Sequence, residues 1–307
     1  MLEGRVTIVN EHRFSRNAAC FGTEGQEKIH LTSVSIVGVG GVGSHVVQQL
    51  AYLGTRRFCL VDDDIVTESS LNRLMGATAR DVELQRLKVD VAERTIRAII
   101  PDAMVQRVPN TFVSIDGFAA LREADVVIGC VDGDGSRLIL TEFCAAYKKP
   151  YFDLATEILP GEKGLVFGGR LLVSIGGVSC PVCLDELSPE DIRRELTSRR
   201  QLEEDVRIYG LQMDALRRIG PSVVSLNGVV ASLAVTEFMV MVTGIRDPKR
   251  HLTYRGDLGW VTENTDPPMP DCYYCKAVYG RGEEAVMERY LRAELATFLG
   301  KRRALQL

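Results

Sequence analysis

The sequence predicts an α/β fold with a Rossmann-like, mostly parallel sheet and an antiparallel C-terminal extension. Residues 34–64 pass from an apolar strand through a glycine loop into a helix, and then into a second strand that ends on three acids. Residues 125–131 form a continuous apolar run, which is typical of a strand buried on both faces of a parallel sheet. After Gly161 the pattern changes to short alternating segments, which favour antiparallel strands.

The glycine loop predicts a nucleotide-binding site. Gly38, Gly40, Gly41 and Gly43 follow the first strand, so the backbone can turn tightly and approach phosphate oxygens at the start of a helix. Asp62 ends the second strand. Its spacing along the sequence from the glycine loop, about 20 residues, is that expected of an acid that binds the ribose hydroxyls.

Periodicity and chain-breaking residues predict the remaining elements. Residues 83–100 repeat apolar positions at helical spacing and stop at Pro101, which predicts a helix. The other predicted elements are strands at 104–109 and 125–131, a helix at 136–147, a strand at 150–155, an apolar helix at 222–243, a strand or hairpin at 251–262 and an amphipathic helix at 284–299.

These elements predict one main domain, residues 31–283, between an N-terminal helical segment at 1–30 and a C-terminal helix at 284–307. A chain of 307 residues that is 46% hydrophobic has enough apolar material for this single large core. The charge-rich segment 186–215 has the composition of an insertion that lies over a surface.

Charge and composition exclude several classes of partner. The net charge of −4 gives no reason to expect nucleic acid or an anionic membrane as a partner. Residues 223–243 approach the length of a membrane span, but Glu237 near the centre favours a buried helix. The N-terminus lacks the apolar run of a secretion signal, so we expect a cytoplasmic protein.

Four of the eight cysteines form two Cys-x-x-Cys pairs, Cys180 with Cys183 and Cys272 with Cys275. This spacing lets two thiolates bind one tetrahedral ion, and two such pairs complete a four-sulfur zinc site. Because thiols stay reduced in the cytoplasm, zinc is favoured over a disulfide framework, and the closed ligand set predicts a structural ion.

Two cations and a further acid favour a triphosphate over a dinucleotide. Arg73 and Lys88 follow the acidic strand end, and Asp132 follows the apolar strand at 125–131, so all three are expected near the carboxyl edge of the sheet. ATP requires cations for its phosphates, an acid to hold Mg²⁺ and backbone N–H groups near the α-phosphate.

With these residues in place, the chain resembles the ThiF and MoeB proteins, whose adenylating domain is shared with ubiquitin-activating enzymes. The resemblance covers roughly residues 12–276. Its motifs are the segment RFSRNAACFGTEGQEKI (13–29), the loop GVGGVGS (38–44), the strand end DDDIVTESSLNR (62–73), LQRLK (84–88), CVDGDGSR (130–137) and both cysteine pairs in matching order.

The resemblance implies roles for individual residues. Asp62 would bind the ribose, with Asp64 close to it, while Arg73 and Lys88 would contact the triphosphate and Asp132 would hold Mg²⁺. Ser70 stands where the family usually has asparagine, and Asn72 lies two positions further on, so both are candidate nucleotide ligands.

The resemblance also implies a homodimer. Arg16 matches an arginine that, in the family, reaches into the neighbouring subunit's site, so the segment 1–30 would contribute to the dimer. Relatives that form a covalent intermediate with their protein substrate carry a cysteine after the first pair, but residues 184–221 contain none. This difference predicts adenylation without a thioester.

The predicted function is therefore ATP-dependent adenylation of a carboxylate, with release of pyrophosphate. The expected substrate is the C-terminus of a ubiquitin-like or sulfur-carrier protein. One alternative is a short peptide or another small carboxylate. Two further alternatives are a nicotinamide (NAD)-dependent oxidoreductase, which would use the glycines and Asp62 alone, and a catalytically idle scaffold that binds nucleotide.

Overall fold

One mixed sheet of eight strands organises the chain. The structure is a computed structural model that describes residues 13–161, 164–197 and 221–291. The strands are β1 (Ser33–Val37), β2 (Arg57–Val61), β3 (Met104–Val108), β4 (Val126–Gly129), β5 (Tyr151–Gly161), β6 (Gly164–Ser174), β7 (His251–Arg255) and β8 (Trp260–Glu263).

Helices connect the strands and cover both faces of the sheet. They are α1 (Ser15–Leu31), α2 (Gly41–Leu53), α3 (Ala79–Glu83), α4 (Lys88–Ile99), α5 (Ile115–Glu123), α6 (Asp134–Ala146), α7 (Pro189–Leu196) and α8 (Val224–Thr243). A kink interrupts α1 at Phe21 and Gly22, where Gly22 adopts a φ of +76° that an L side chain rarely reaches.

The strand order is β3-β2-β1-β4-β5-β6-β7-β8. The strands from β3 to β5 pair in parallel, and β6, β7 and β8 add antiparallel ladders. The predicted fold class is confirmed, because a Rossmann-like parallel half continues into an antiparallel C-terminal half. The parallel half places the carboxyl ends of β1, β2 and β4 at one edge.

Successive side chains of the central strands enter different cores. Val126 and Ile128 of β4 pack in the core formed with α2, α4 and α8, whereas Val127 packs in the core formed with α5 and α6. This alternation explains the continuous apolar run, since both faces of the strand are covered.

Helix α8 has the length and apolar composition of a membrane span, and half of its most apolar window is buried within the protein. Both Asn227 and Glu237 on this helix are buried, and Arg246 binds the two carboxylate oxygens of Glu237 at 2.7 Å each. These contacts fit the predicted buried helix, and the cytoplasmic location stays a prediction.

The helix predicted at 83–100 is wrong in its first turn. Helix α4 begins only at Lys88, because Gln85 adopts a φ of +47° and Leu87 forms a bridge with Ile65. The Lys88 N–H then donates to the carbonyl of Asp64 at 2.9 Å. These long-range contacts place Lys88 at the start of a helix, beside the end of β2.

Predictions for the chain ends and the insertion are tested only in part. Two 3-10 turns, Gly282–Ala285 and Met287–Tyr290, stand where the first residues of an α-helix were predicted at 284–299, and 292–307 lie outside the described residues. Helix α7 lies within the predicted insertion 186–215, of which 198–215 are outside that description. Residues 1–12 of the N-terminal segment are outside it as well.

Asp81 provides a test of how the turn before α4 is held. Its carboxylate caps α3 by accepting from Thr78, and it binds Arg94 at 2.7 Å. The hydrogen bond from Arg94 holds the pKa of Asp81 well below its usual range. A carboxyl whose pKa is lower in the folded state stabilises the protein above its unfolded pKa of about 3.9, and this contribution is lost as pH falls.

We therefore expect Asp81→Asn to lower the free energy of unfolding at pH 7 by about 2 kcal/mol. The difference from the wild type should shrink between about pH 5 and pH 2, because the Asp81 carboxyl of the unfolded chain takes up a proton there while the folded protein keeps it ionised. Urea unfolding at several pH values measures this. A difference that stays constant down to pH 2 would contradict the charge-based account.

Candidate functional site

The glycine loop lies at the carboxyl edge of the sheet, between the ends of β2 and β4. The Gly38 N–H donates to the carbonyl of Val61 at 2.9 Å. Gly38 has a φ of +85°, and a Cβ there would lie 2.7 Å from the carbonyl oxygen of Cys130, so only glycine fits. Gly40 precedes α2 without a side-chain cap, so the first amides of this helix are the groups that an anion would meet.

Asp62 fastens the end of β2 to this loop. It is buried, with Oδ2 accepting from the Val39 N–H at 2.8 Å and Oδ1 accepting from the Asp64 N–H at 2.9 Å. The carboxylate therefore fixes the loop, and it lies at the strand end where the residue that binds the ribose is predicted.

Lys88 lies on the other side of the loop. Its ammonium pairs with Oδ2 of Asp64 at 2.7 Å, and both side chains are largely buried. A Cβ built on Gly40 would lie 4.0 Å from the Lys88 nitrogen. The ammonium is thus within reach of any phosphate bound at the start of α2.

Arg73 extends along the first residue of α2. A Cβ built on Gly41 would lie 3.3 Å from Cδ of Arg73, which places the arginine stem against the loop. The guanidinium donates to the carbonyl of Ser69 and, at 3.1 Å, to Oδ1 of Asn72. Asn72, a predicted nucleotide ligand, therefore orients Arg73 in this structure.

Ser70 is buried beneath the same turn. Its Oγ accepts from the Thr67 N–H at 3.3 Å and lies 3.0 Å from the Thr67 hydroxyl, so the two residues cap the 3-10 turn Glu68–Ser70. The direct contact between Ser70 and nucleotide stays a prediction.

Asp132 is exposed in the turn between β4 and α6, as expected of an acid at this edge. Among the described residues, the carboxylates grouped closely enough to share a cation are Asp62, Asp63 and Asp64, with ligand oxygens within 4.8 Å of one another. Carboxylate oxygens are the ligands that Mg²⁺ prefers, so the donor chemistry of this edge fits the ion.

Arg16 lies in the first turn of α1 and is exposed. No hydrogen bond or ion pair joins its guanidinium to another residue within 13–161, 164–197 or 221–291. Its predicted entry into a neighbouring subunit's site stays a prediction.

Asn227 is a site residue that the sequence reasoning missed. It is fully buried on the otherwise apolar α8, and its amide bonds to Ser222 at 3.1 Å and to Thr156 at 3.2 Å. A Cβ on Gly41 would lie 2.5 Å from Nδ2 of Asn227, so the amide forms one wall of the loop. A lone amide in an apolar helix was the available signal.

The four paired cysteines converge in one buried cluster. Sγ of Cys180 lies 3.5 Å from that of Cys272, Sγ of Cys183 lies 3.9 Å from that of Cys275, and all four lie within 4.8 Å of one another. A tetrahedron with zinc–sulfur bonds of about 2.3 Å has edges of about 3.8 Å. The cluster is therefore compatible with zinc, and it joins the turn after β6 to the C-terminal part of the chain.

Three further thiols, which lie in the core or pack against it, are poor candidates for a nucleophile. Burial raises the pKa of Cys59 to about 11 and raises the pKa of Cys130 and of Cys144 well above the ordinary value. A thiol attacks as its thiolate, so these three are poor nucleophiles and contribute to packing instead. Cys20 is exposed.

Comparison with known proteins finds one family over most of the chain. The ThiF family profile matches residues 14–270. The "Sulfur carrier protein ThiS adenylyltransferase" of Escherichia coli is 27% identical over 231 residues, which cover 75% of this chain and 79% of that protein. The "Probable molybdopterin-synthase adenylyltransferase" of Porphyra purpurea is 34% identical over 126 residues, 41% of this chain and only 32% of that protein.

A solved structure shares the fold. The microcin C7 biosynthetic enzyme MccB, in complex with N-formylated MccA, superposes with a TM-score of 0.66 at 20% identity, covering 87% of this chain and 75% of that one. At this identity the likeness concerns the fold alone. It agrees with a parallel sheet that continues into antiparallel strands.

The contact between Gly41 and Asn227 generates a prediction about nucleotide binding. Gly41→Ala should weaken binding of magnesium–ATP about tenfold, because the new methyl group forces the loop away from the buried amide. In an Asn227→Ala background the same substitution should reduce the affinity for magnesium–ATP by less than about threefold. Calorimetric titration of the four proteins measures both penalties.

Gly228→Ala is the matched control, because its Cβ would lie at an ordinary 3.4 Å from the His45 ring. It should leave ATP affinity unchanged. An equal loss of ATP affinity on Gly41→Ala in both backgrounds would show that the new methyl group clashes with the nucleotide itself and not with Asn227.

The cysteine cluster generates a second prediction. Cys183→Ser should lower the zinc content from about one ion per chain to a small fraction of that, and should lower the Tm by more than about 5 °C. Metal analysis by mass spectrometry and thermal unfolding provide the two readouts. Cys20→Ser, which lies outside the cluster, should keep both values; a wild-type protein that carries no zinc when purified without chelator would contradict the assignment.

Proposed function

Because the chain belongs to the ThiF family, we propose that it is an adenylyltransferase that joins AMP from ATP to a carboxylate and releases pyrophosphate. One observation carries this proposal. The start of α2 is flanked by two cations, Lys88 beside Gly40 and Arg73 beside Gly41, at the edge where Asp62 fixes the loop. A glycine loop with two flanking cations suits a triphosphate.

The site requires no nucleophile or general base of its own. A carboxylate oxygen of the substrate attacks the α-phosphorus, a new P–O bond forms, and the bond to the bridging oxygen breaks so that pyrophosphate leaves. The substrate carboxyl is already ionised at neutral pH. The contribution of the protein is positioning and charge neutralisation.

The described residues divide this work. Amides at the start of α2 would face the α-phosphate, Asp62 would hold the ribose, and the planar guanidinium of Arg73 would neutralise charge on the departing pyrophosphate. Lys88 would exchange its contact with Asp64 for a phosphate. Magnesium, when bound, would supply further neutralisation, and Asp132 with the acids after β2 would hold it.

The proposed substrate is the C-terminus of a sulfur-carrier or ubiquitin-like protein. Relatives named as adenylyltransferases of sulfur carriers support this choice. A second candidate is a peptide carboxylate, since MccB with its peptide MccA shares the fold. The oxidoreductase alternative finds no support, because the matched relatives are activating enzymes and adenylyltransferases and NAD chemistry leaves Arg73 and Lys88 without roles.

The enzyme proposal predicts that Arg73→Ala and Asp132→Ala each reduce magnesium-dependent exchange of pyrophosphate into ATP by at least about 100-fold. The assay includes a small protein ending in Gly-Gly or, separately, a short peptide. Arg97→Ala, which removes an exposed arginine at the far end of α4, should retain exchange. Near-normal exchange by either folded site variant would rule out the proposed roles.

The proposed homodimer predicts complementation between subunits. Arg16→Ala and Asp132→Ala should each be inactive alone, because one lacks the arginine supplied to the neighbour and the other lacks the magnesium ligand. Mixing and re-equilibrating the two should restore about a quarter of wild-type exchange, since half the dimers are mixed and each mixed dimer has one intact site. No recovery in mixtures that do exchange subunits would place Arg16 in its own subunit's site, and normal exchange by Arg16→Ala alone would place it outside any site.

A further inference from the structure

Asp153 is a fully buried carboxylate on β5, below the edge that carries the candidate site. Its Oδ1 accepts from Arg137 at 2.6 Å and from the Tyr151 hydroxyl at 2.9 Å, and its Oδ2 accepts from Arg170 at 2.6 Å. Burial alone would raise the pKa of Asp153, but the Arg137 and Arg170 guanidiniums hold it below its ordinary value. The group is therefore a buried anion at the centre of an ion network.

Arg137 connects this anion to the turn that carries Asp132. The guanidinium is buried and donates to the carbonyl of Leu154 at 2.9 Å and to the carbonyl of Val131 at 2.6 Å. Val131 is the residue immediately before Asp132. One planar group thus ties β5 to the peptide unit that orients the candidate magnesium ligand.

Arg170 anchors the network on its other side. Its Nε pairs with the Glu186 carboxylate at 2.9 Å, and it donates to the Glu186 carbonyl at 3.0 Å. Glu186 lies three residues after Cys183 of the cysteine cluster. Among the described residues, the network therefore joins Asp153 to the segment after the first cysteine pair through Arg170, and to the turn before α6 through Arg137.

We propose that Asp153 is a positioning residue that, through Arg137, fixes Asp132 for metal-bound nucleotide. This inference rests on the proposed function, since Asp132 is assigned to magnesium there. Residues that orient metal ligands without touching the metal commonly change metal affinity or activity by about 10- to 100-fold when replaced.

The chemistry of Arg137 explains why Asp153 is needed. A buried guanidinium cannot lose its proton and is costly to bury without an anion. The other nearby carboxylate is Asp134, whose Oδ1 lies 3.8 Å from Nε of Arg137. Without the charge on Asp153, we expect the guanidinium to move towards Asp134, the first residue of α6, and to release the Val131 carbonyl.

The test compares Asp153→Asn with Glu237→Gln in the full-length protein. Both replace a buried carboxylate bound by arginine, but Glu237 lies in the C-terminal half of α8 and binds Arg246. Binding of Mn²⁺ in the presence of a non-hydrolysable ATP analogue is followed by electron paramagnetic resonance. Magnesium titration of pyrophosphate exchange gives the second readout.

Asp153→Asn should bind Mn²⁺ about tenfold more weakly and require about tenfold more Mg²⁺ for half-maximal exchange, with much of the rate recovered at saturating Mg²⁺. Glu237→Gln should match the wild type in both readouts even where its Tm falls. Equal metal affinities for Asp153→Asn and the wild type would overturn the proposal.

Two further outcomes are separable. If Asp153→Asn does not fold, Arg137→Lys tests the same link, because an ammonium keeps the charge but cannot bridge Asp153 and Val131 together. Unchanged Mn²⁺ affinity in the folded Arg137→Lys variant would overturn the proposal. If the wild type shows no exchange with any carboxylate, the proposed reaction fails, while weaker Mn²⁺ binding by Asp153→Asn would still support the positioning role.

Discussion

Parallel pairing of β1 with β2 and with β4 determines where the candidate site lies. Because the three strands run in the same direction, the glycine loop, the acids after β2 and the turn with Asp132 all emerge at one edge. Asp62 then converts this proximity into a fixed geometry, since its two carboxylate oxygens bind backbone amides of the loop and of its own turn. A register shift would separate these groups.

The cations at this edge are held before any nucleotide binds. Arg73 is oriented by the Ser69 carbonyl and the Asn72 amide, and Lys88 by Asp64. Preorganised charges of this kind stabilise developing negative charge without reorganisation during the reaction. The buried network around Asp153 extends the same principle to the turn before α6, because Arg137 donates both to Asp153 and to the Val131 carbonyl.

Local patterns were sufficient to predict the architecture, the position of the glycine loop and the cysteine cluster. Apolar runs identified the buried strands, glycines and an acid at fixed spacing identified the loop, and two Cys-x-x-Cys pairs identified the cluster, whose members lie 92 residues apart across each close sulfur pair. These features depend on neighbouring residues in the chain, so the sequence displays them directly.

Features that depend on distant contacts were missed. The start of α4 at Lys88 depends on the bridge between Ile65 and Leu87, and periodicity alone extended the helix backwards. Asn227 contacts the loop from a helix almost two hundred residues later in the sequence, and Asp153 acts through Arg137 on another element. Single polar residues in apolar segments carry no spacing signal, so only the fold reveals their partners.

The central claim is that the loop binds a triphosphate, and calorimetric titration with ATP, with and without Mg²⁺, and with NAD tests it most directly. The account predicts saturable, magnesium-dependent ATP binding that is lost in Arg73→Ala, and no comparable binding of NAD. Tight NAD binding that is indifferent to Mg²⁺ and to Arg73 would contradict it, because the cations beside the loop would then have no part in ligand recognition.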